Sequence, residues 1–171
     1  KAVLEGQSFS HSYTVNFGLR EIKAGEDNLL VNGRKAHFRG THSGGDFPLT
    51  GCAATDVEYW ENLFAKCKKW GLNHMRFHSF CPPEAAFTAA DRAGFYLQPE
   101  CGMWNVINPG SEMEKRMYEE TERMLREYGN HPSFVLFSPS NEPKGHWKES
   151  LPEWAAHYGK KDPRRLYTTG T

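Results

Sequence analysis

Four consecutive apolar residues, Phe134-Val135-Leu136-Phe137, narrow most sharply what this chain can fold into. A strand with one wet face alternates in polarity. A run that is apolar at every position suits a strand covered on both faces, as in a parallel sheet flanked by helices. From Ala36 onward the rest of the chain agrees. Short apolar runs near Ala36, His74, Phe95, Phe134 and Leu166 alternate with four amphipathic stretches. Strict β-α order predicts five parallel strands joined by right-handed crossovers. No glycine-rich G-x-G-x-x-G follows the first of them, which disfavours a dinucleotide-binding fold.

The helices carry their own punctuation. Thr55 and Glu58 read as a capping box before Trp60, Leu63, Phe64 and Cys67, with Gly71 as the stop. Pro83 opens a second helix, packed through Ala86, Phe87 and Ala90 and closed by Gly94. Met113, Met117, Thr121, Met124 and Tyr128 form a stripe on a third, best explained by core packing. Ser150 and Glu153 read as a second capping box before Trp154 and Tyr158. The first 35 residues follow another rule. Tyr13, Val15, Phe17 and Leu19 alternate with polar or small residues, predicting a half-exposed antiparallel strand over Ser12–Ile22. Asn32-Gly33 between two apolar runs is a two-residue hairpin signal.

The formal net charge of zero, with no long basic stretch, argues against nucleic acid as a partner. No apolar segment is long enough to span a bilayer. Cys52, Cys67, Cys81 and Cys101 are too widely spaced for a zinc motif and read as free thiols. Aromatic residues make up 13% of the chain, and several fall in loops, where a sugar-binding protein needs flat apolar faces.

The loop after the Phe134 run carries Asn141-Glu142-Pro143. The carboxyl end of a parallel strand is where α/β folds place their chemistry. The string from Asn130 to Pro143, NHPSFVLFSPSNEP, resembles the acid/base motif of glycoside hydrolase family 2. The likeness extends from about Tyr13 to Thr171. It takes in Phe17-Gly18-Leu19-Arg20, the Asn32-Gly33 hairpin with Arg39-Gly40, Gly71-Leu72-Asn73-His74-Met75-Arg76, and Asp91-Arg92-Ala93-Gly94.

That resemblance implies a fold. It is an α/β (β/α)8 TIM barrel, of which residues 36–171 would form the N-terminal half with about five strands. Residues 1–35 would end a β-sandwich domain and its linker hairpin. A whole barrel takes about 250 residues. The resemblance also implies a retaining O-glycosidase, akin to β-galactosidases, β-glucuronidases or β-mannosidases. Glu142 matches its general acid/base, Asn141 the residue that hydrogen-bonds the sugar hydroxyl next to the reacting carbon, and Arg76 the arginine supporting the nucleophile. His42, His78 and Trp104 are placed with the substrate-binding residues, and Trp104 and Trp147 either stack on sugar faces or pack locally. An acid must hold its proton near neutral pH, so Glu142 is expected to be buried or to lie near another negative charge.

Some positions depart from the family. His78 is displaced by one residue from the usual Ser-His-Tyr-Pro pattern. Glu100 matches a position that binds metal in some members, but the expected partner histidine is Gly102, so neither a metal nor any other cofactor is expected. The nucleophile falls beyond Thr171, and Asp46, Glu100 and Glu149 do not match it. The fragment is therefore expected to be inactive alone. Its open sheet edges predict either pairing with a second copy or that it is the ordered remnant of a longer chain. A glycan-binding relative without turnover is the alternative, and a metal-dependent hydrolase on His42, His78 and Glu100 a lesser third. Polysaccharide substrates would suit a periplasmic or secreted location, which the sequence itself does not assign.

Overall fold

The computed structural model describes residues 1–102 and 104–170. Strands β1 (Ala2–Glu5) and β2 (Ser10–Tyr13) form an antiparallel hairpin exposed along its whole length. The strand expected over Ser12–Ile22 ends at Tyr13. Residues 14–21 have no partner strand among the described residues, and Phe17 and Leu19 are 75% and 87% exposed. Alternation alone cannot make a strand where no ladder exists. What holds this segment is Arg20. Its Nε donates to the Pro132 carbonyl (3.0 Å) and its Nη2 to that of Phe134 (2.7 Å).

Strands β3 (Ile22–Ala24), β4 (Leu29–Val31) and β5 (Arg34–Ala36) follow as an antiparallel meander. The expected hairpin is present, with Asn32 and Gly33 at φ 49° and 73°, as a type I′ turn requires. Ala36 pairs with Leu29 and so closes the meander. The first parallel strand is β6 (Gly40–Ser43), a few residues later than the sequence suggested. Asn73 sets that start. Its Oδ1 accepts from the Arg39 backbone N–H (2.8 Å), and its Nδ2 donates to the His37 carbonyl (3.0 Å). Gly40 lies close against His74, whose Nδ1 would be 2.6 Å from an added Cβ.

Then helices and strands alternate: α1 (Val57–Lys69), β7 (His74–Phe77), α2 (Glu84–Ala93), β8 (Tyr96–Gln98), α3 (Glu112–Tyr128), β9 (Leu136–Phe137), α4 (Trp147–Lys161) and β10 (Leu166–Tyr167). β6, β7 and β8 pair in parallel, as do β9 and β10. Parallel bridges at Leu97–Phe134 and Glu100–Ser138 join β8 to β9. Five strands thus run parallel in chain order, as expected. Phe134, Val135 and Phe137 are fully buried, the covered run read from sequence. Phe137 lies between Phe134 and Trp154, and Phe64 of α1 stacks on Phe95 at 4.7 Å. Met117, Thr121 and Met124 of the α3 stripe are buried in the core.

Both expected capping boxes are displaced. Asp56, not Thr55, caps α1, its carboxylate accepting from the Tyr59 N–H at 2.8 Å. A carboxylate is the better acceptor there and also faces the positive end of the helix dipole. Helix α4 begins at Trp147, whose ring packs on the core, so Ser150 lies inside the helix and is buried. Among the described residues no helix is long and apolar enough to cross a membrane.

Candidate active site

The carboxyl ends of β6 to β9 carry the polar side chains. His42, Arg76 and Gln98 are register partners across β6, β7 and β8, so their side chains form one row on one face. Glu100 lies two residues beyond Gln98, is fully buried, and continues that row. Its Oε1 accepts from Arg76 Nε at 2.5 Å and its Oε2 from the Ser79 hydroxyl at 2.9 Å. Arg76 spends its second donor on β9. Its Nη2 reaches Asn141 Oδ1 at 2.6 Å. Three strand ends are thereby tied through one arginine. The Arg76–Glu100 pair is an ion pair in which the carboxylate is wholly shielded from water, so its hydrogen bonds offset a large desolvation cost.

The segment that leads into β9 is held from below as well. Asp91 of α2 accepts the Ser133 backbone N–H (2.9 Å) on Oδ1 and lies 2.6 Å from His131 Nδ1 through Oδ2. Asn130-His131-Pro132-Ser133 is thus the segment that fixes where β9 begins. Past the strand, Ser138, Ser140 and Asn141 are buried, whereas Glu142 is exposed. Glu142 sits at φ 40°, a left-handed backbone that costs a non-glycine residue about 1 kcal/mol. The turn keeps Asn141 inside and sets Glu142 in solvent. The burial expected for Glu142 is therefore not found: the neighbouring loop residues take the covered positions.

A second group flanks this network. Trp104, 58% exposed, meets His78 edge-on at 5.1 Å, and His78 meets His42 edge-on at 6.2 Å. Gly44, Gly45, Phe47 and Phe80 complete, with His78 and Trp104, the wall of a depression of about 510 Å³. His42, His78 and Trp104 thus form a chain of ring contacts beside the hydrogen-bonded pair of Arg76 and Asn141, the residue before Glu142. Trp147 does not lie in a loop but opens α4. Asp46 is exposed, and Glu149 is exposed 3.5 Å from His146.

Among the described residues no group of three or more His, Cys, Asp or Glu side chains could hold a metal ion. Both Glu100 oxygens are already engaged by Arg76 and Ser79, which argues against the His42–His78–Glu100 metal site. The four cysteines are free thiols, and burial pushes Cys101 up to about 12, too high for a nucleophile. Two participants were not legible beforehand. Ser79 gave no signal beyond its place next to His78. Gln98, just past the apolar Phe95-Tyr96-Leu97 run, gave none.

The profile of "Glycosyl hydrolases family 2, TIM barrel domain" matches residues 21–170. The beta-glucuronidase of Mus musculus is 27% identical over 157 residues, covering 90% of this chain and 23% of the mouse protein. A beta-galactosidase of Arthrobacter sp. (strain B7) is 29% identical over 146 residues, 79% of this chain and 14% of that protein. The crystal structure of Parabacteroides merdae beta-glucuronidase superposes with a TM-score of 0.79 at 18% identity, over 96% of this chain and 22% of that one. A GH2 beta-galacturonidase of Eisenbergiella tayi gives 0.78 at 22% identity, over 88% and 28%. At such identities the structural likeness establishes the fold. The chain spans under a third of the length of each of these relatives.

Proposed function

The chain belongs to glycosyl hydrolase family 2, and from that membership we propose that it supplies the acid/base half of a retaining O-glycosidase site. In this reading residues 36–171 are the first five strands of an eight-stranded barrel, and residues 1–35 close a preceding sandwich domain. Glu142 donates its proton to the glycosidic oxygen as the bond from the sugar carbon to that oxygen breaks. A carboxylate nucleophile from the remainder of the barrel takes the sugar carbon. Glu142, now ionised, then removes a proton from the water that releases the sugar. Asn141 hydrogen-bonds the hydroxyl next to the reacting carbon, and Arg76 supports the nucleophile. His42, His78 and Trp104 form the wall for the sugar's apolar face.

The observation that carries this reading is the Arg76–Asn141 hydrogen bond at 2.6 Å. It ties the end of β7 to the residue directly before Glu142, which supports giving Arg76 and Asn141 roles in the same site. The relatives' names suggest the first substrates to try: aryl β-glucuronides, β-galactosides and β-galacturonides. The exposure of Glu142 in this chain fits a site whose far wall comes from elsewhere. The chain alone should therefore be inactive, since a retaining enzyme needs a second carboxyl group about 5 Å away.

Replacing Glu142 by Gln in the protein with the complete barrel tests the role. Hydrolysis of substrates with poor leaving groups should fall by about 100-fold or more, the scale of general acid catalysis. Glycosylation by aryl substrates with good leaving groups should persist. Unchanged turnover of a poor-leaving-group substrate would remove Glu142 from the role. A wild-type protein that binds these sugars and hydrolyses none would favour the glycan-binding alternative.

A further inference from the structure

We infer that Glu100 is a positioning residue that fixes, through Arg76, which end of the Asn141 amide faces the substrate; this rests on the role proposed above for Asn141. A side-chain amide has an acceptor end and a donor end of nearly equal size, and only its neighbours decide which way it points. Arginine has donors and no acceptor. The Arg76 Nη2 contact at 2.6 Å therefore requires the Asn141 oxygen to face inward. The Asn141 nitrogen, with its two N–H donors, is the end turned away from Arg76. A donor in that place can hydrogen-bond a substrate hydroxyl oxygen; the flipped amide would offer only an acceptor.

Arg76 can impose this choice only if its own guanidinium is held. Glu100 does that from a fully buried position, with Oε1 on Arg76 Nε at 2.5 Å. Ser79 in turn holds the other carboxylate oxygen at 2.9 Å. Ser79, Glu100, Arg76 and Asn141 thus form a relay across three strand ends, and it stops one residue short of Glu142. The carboxylate that sequence comparison would set aside as an unfilled metal position has a different task here.

The test has two arms. In the 171-residue chain, ¹⁵N-labelled arginine and asparagine report the Arg76 Nε–H and the Asn141 side-chain amide directly. Glu100→Gln should shift both signals, while Glu149→Gln, on the exposed face of α4, should shift neither. Unmoved Arg76 and Asn141 signals in Glu100→Gln would overturn the inference, whatever the protein hydrolyses. In the protein with the complete barrel, kcat/KM is compared for an aryl glycoside and its 2-deoxy counterpart. Glu100→Gln should lower the hydroxylated substrate by about 100-fold, a loss that misplacing a substrate contact by an ångström can bring, and lower the 2-deoxy substrate by a much smaller factor, the part that reaches the nucleophile through Arg76. Adding Asn141→Ala should cost nothing more. Equal loss on both substrates, or additive losses, would mean Glu100 merely supports the fold. Ser79→Ala, which leaves the ion pair in place, should give the same pattern more weakly. A Glu142→Gln protein that keeps full activity would refute the acid/base reading while these two comparisons still judge Glu100.

Discussion

His74 offers the sharpest quantitative test of this structure. The ring begins β7, is only 8% exposed, and stacks on Phe38 at 5.4 Å; Phe38 in turn stacks on Tyr96. Its Nε2 has no hydrogen-bond partner among the described residues. Burial therefore penalises the imidazolium and pushes its pKa from 6.5 down to about 4. The folded form is thus the weaker base. The unfolded chain binds the proton first as pH falls, so stability is complete above about 6.5 and declines toward 4. A gap of that size, at 1.36 kcal/mol per pH unit, amounts to about 3 kcal/mol. Urea unfolding of the wild type and of His74→Phe at pH 7 and at pH 4 measures it. The substitution keeps a ring in the stack and removes the proton. The wild type should lose about 3 kcal/mol more than the variant between those two pH values. The Asp162 carboxyl, held below its ordinary 3.8 by Arg164 and Arg165 against the cost of burial, gives way at lower pH and affects both proteins alike. Parallel losses, or a His74 imidazole that titrates near 6.5 by NMR, would refute the reasoning.

Two further expectations concern the scaffold. Asp91→Ala removes the acceptor of the Ser133 N–H and the partner of His131. It should cost about 1–3 kcal/mol in denaturant unfolding, and in the protein with the complete barrel lower kcat through a displaced start of β9. Asp56→Ala should cost about 1 kcal/mol, and Thr55→Ala within about 0.5 kcal/mol of nothing, as thermal unfolding of the pair would show; the reverse order would return the cap to Thr55.

Much of the fold was legible because burial leaves its mark in composition. Phe134 to Phe137 could be read as a covered strand since no polar residue interrupts it, and the five-strand order followed from punctuation by Gly71, Gly94 and the hairpin at Asn32-Gly33. Where the reading slipped, competition between neighbouring signals was decided by tertiary contacts. Thr55 and Asp56 are both good caps, and only the observed backbone selects the second. Ser150 looked like a cap because Trp147, three residues earlier, gave no local hint that it packs on the core. Val15, Phe17 and Leu19 alternate as a strand does, but pairing depends on a partner that sequence periodicity cannot reveal. In the site, Glu142 and Asn141 stood out through a contiguous motif. The Ser79–Glu100–Arg76 relay joins residues 21 and 24 positions apart by side-chain reach alone, which leaves no periodic trace.

Arg20 sets a clock on how this protein is made. Its two carbonyl partners lie 112 and 114 residues further along the chain. At roughly 5–20 residues per second on the ribosome, that gap is on the order of ten seconds. For that interval the Arg20 guanidinium has nowhere to dock, and the apolar side chains beside it, Phe17 and Leu19, stay untethered. The hairpin and meander that flank it need only near neighbours and can close at once. The joint between the amino-terminal segment and the parallel sheet can therefore be made only after the strand bearing Phe134 has been delivered. Slowing or pausing synthesis between residues 20 and 134 lengthens the one stage at which this polypeptide is most exposed to a wrong partner.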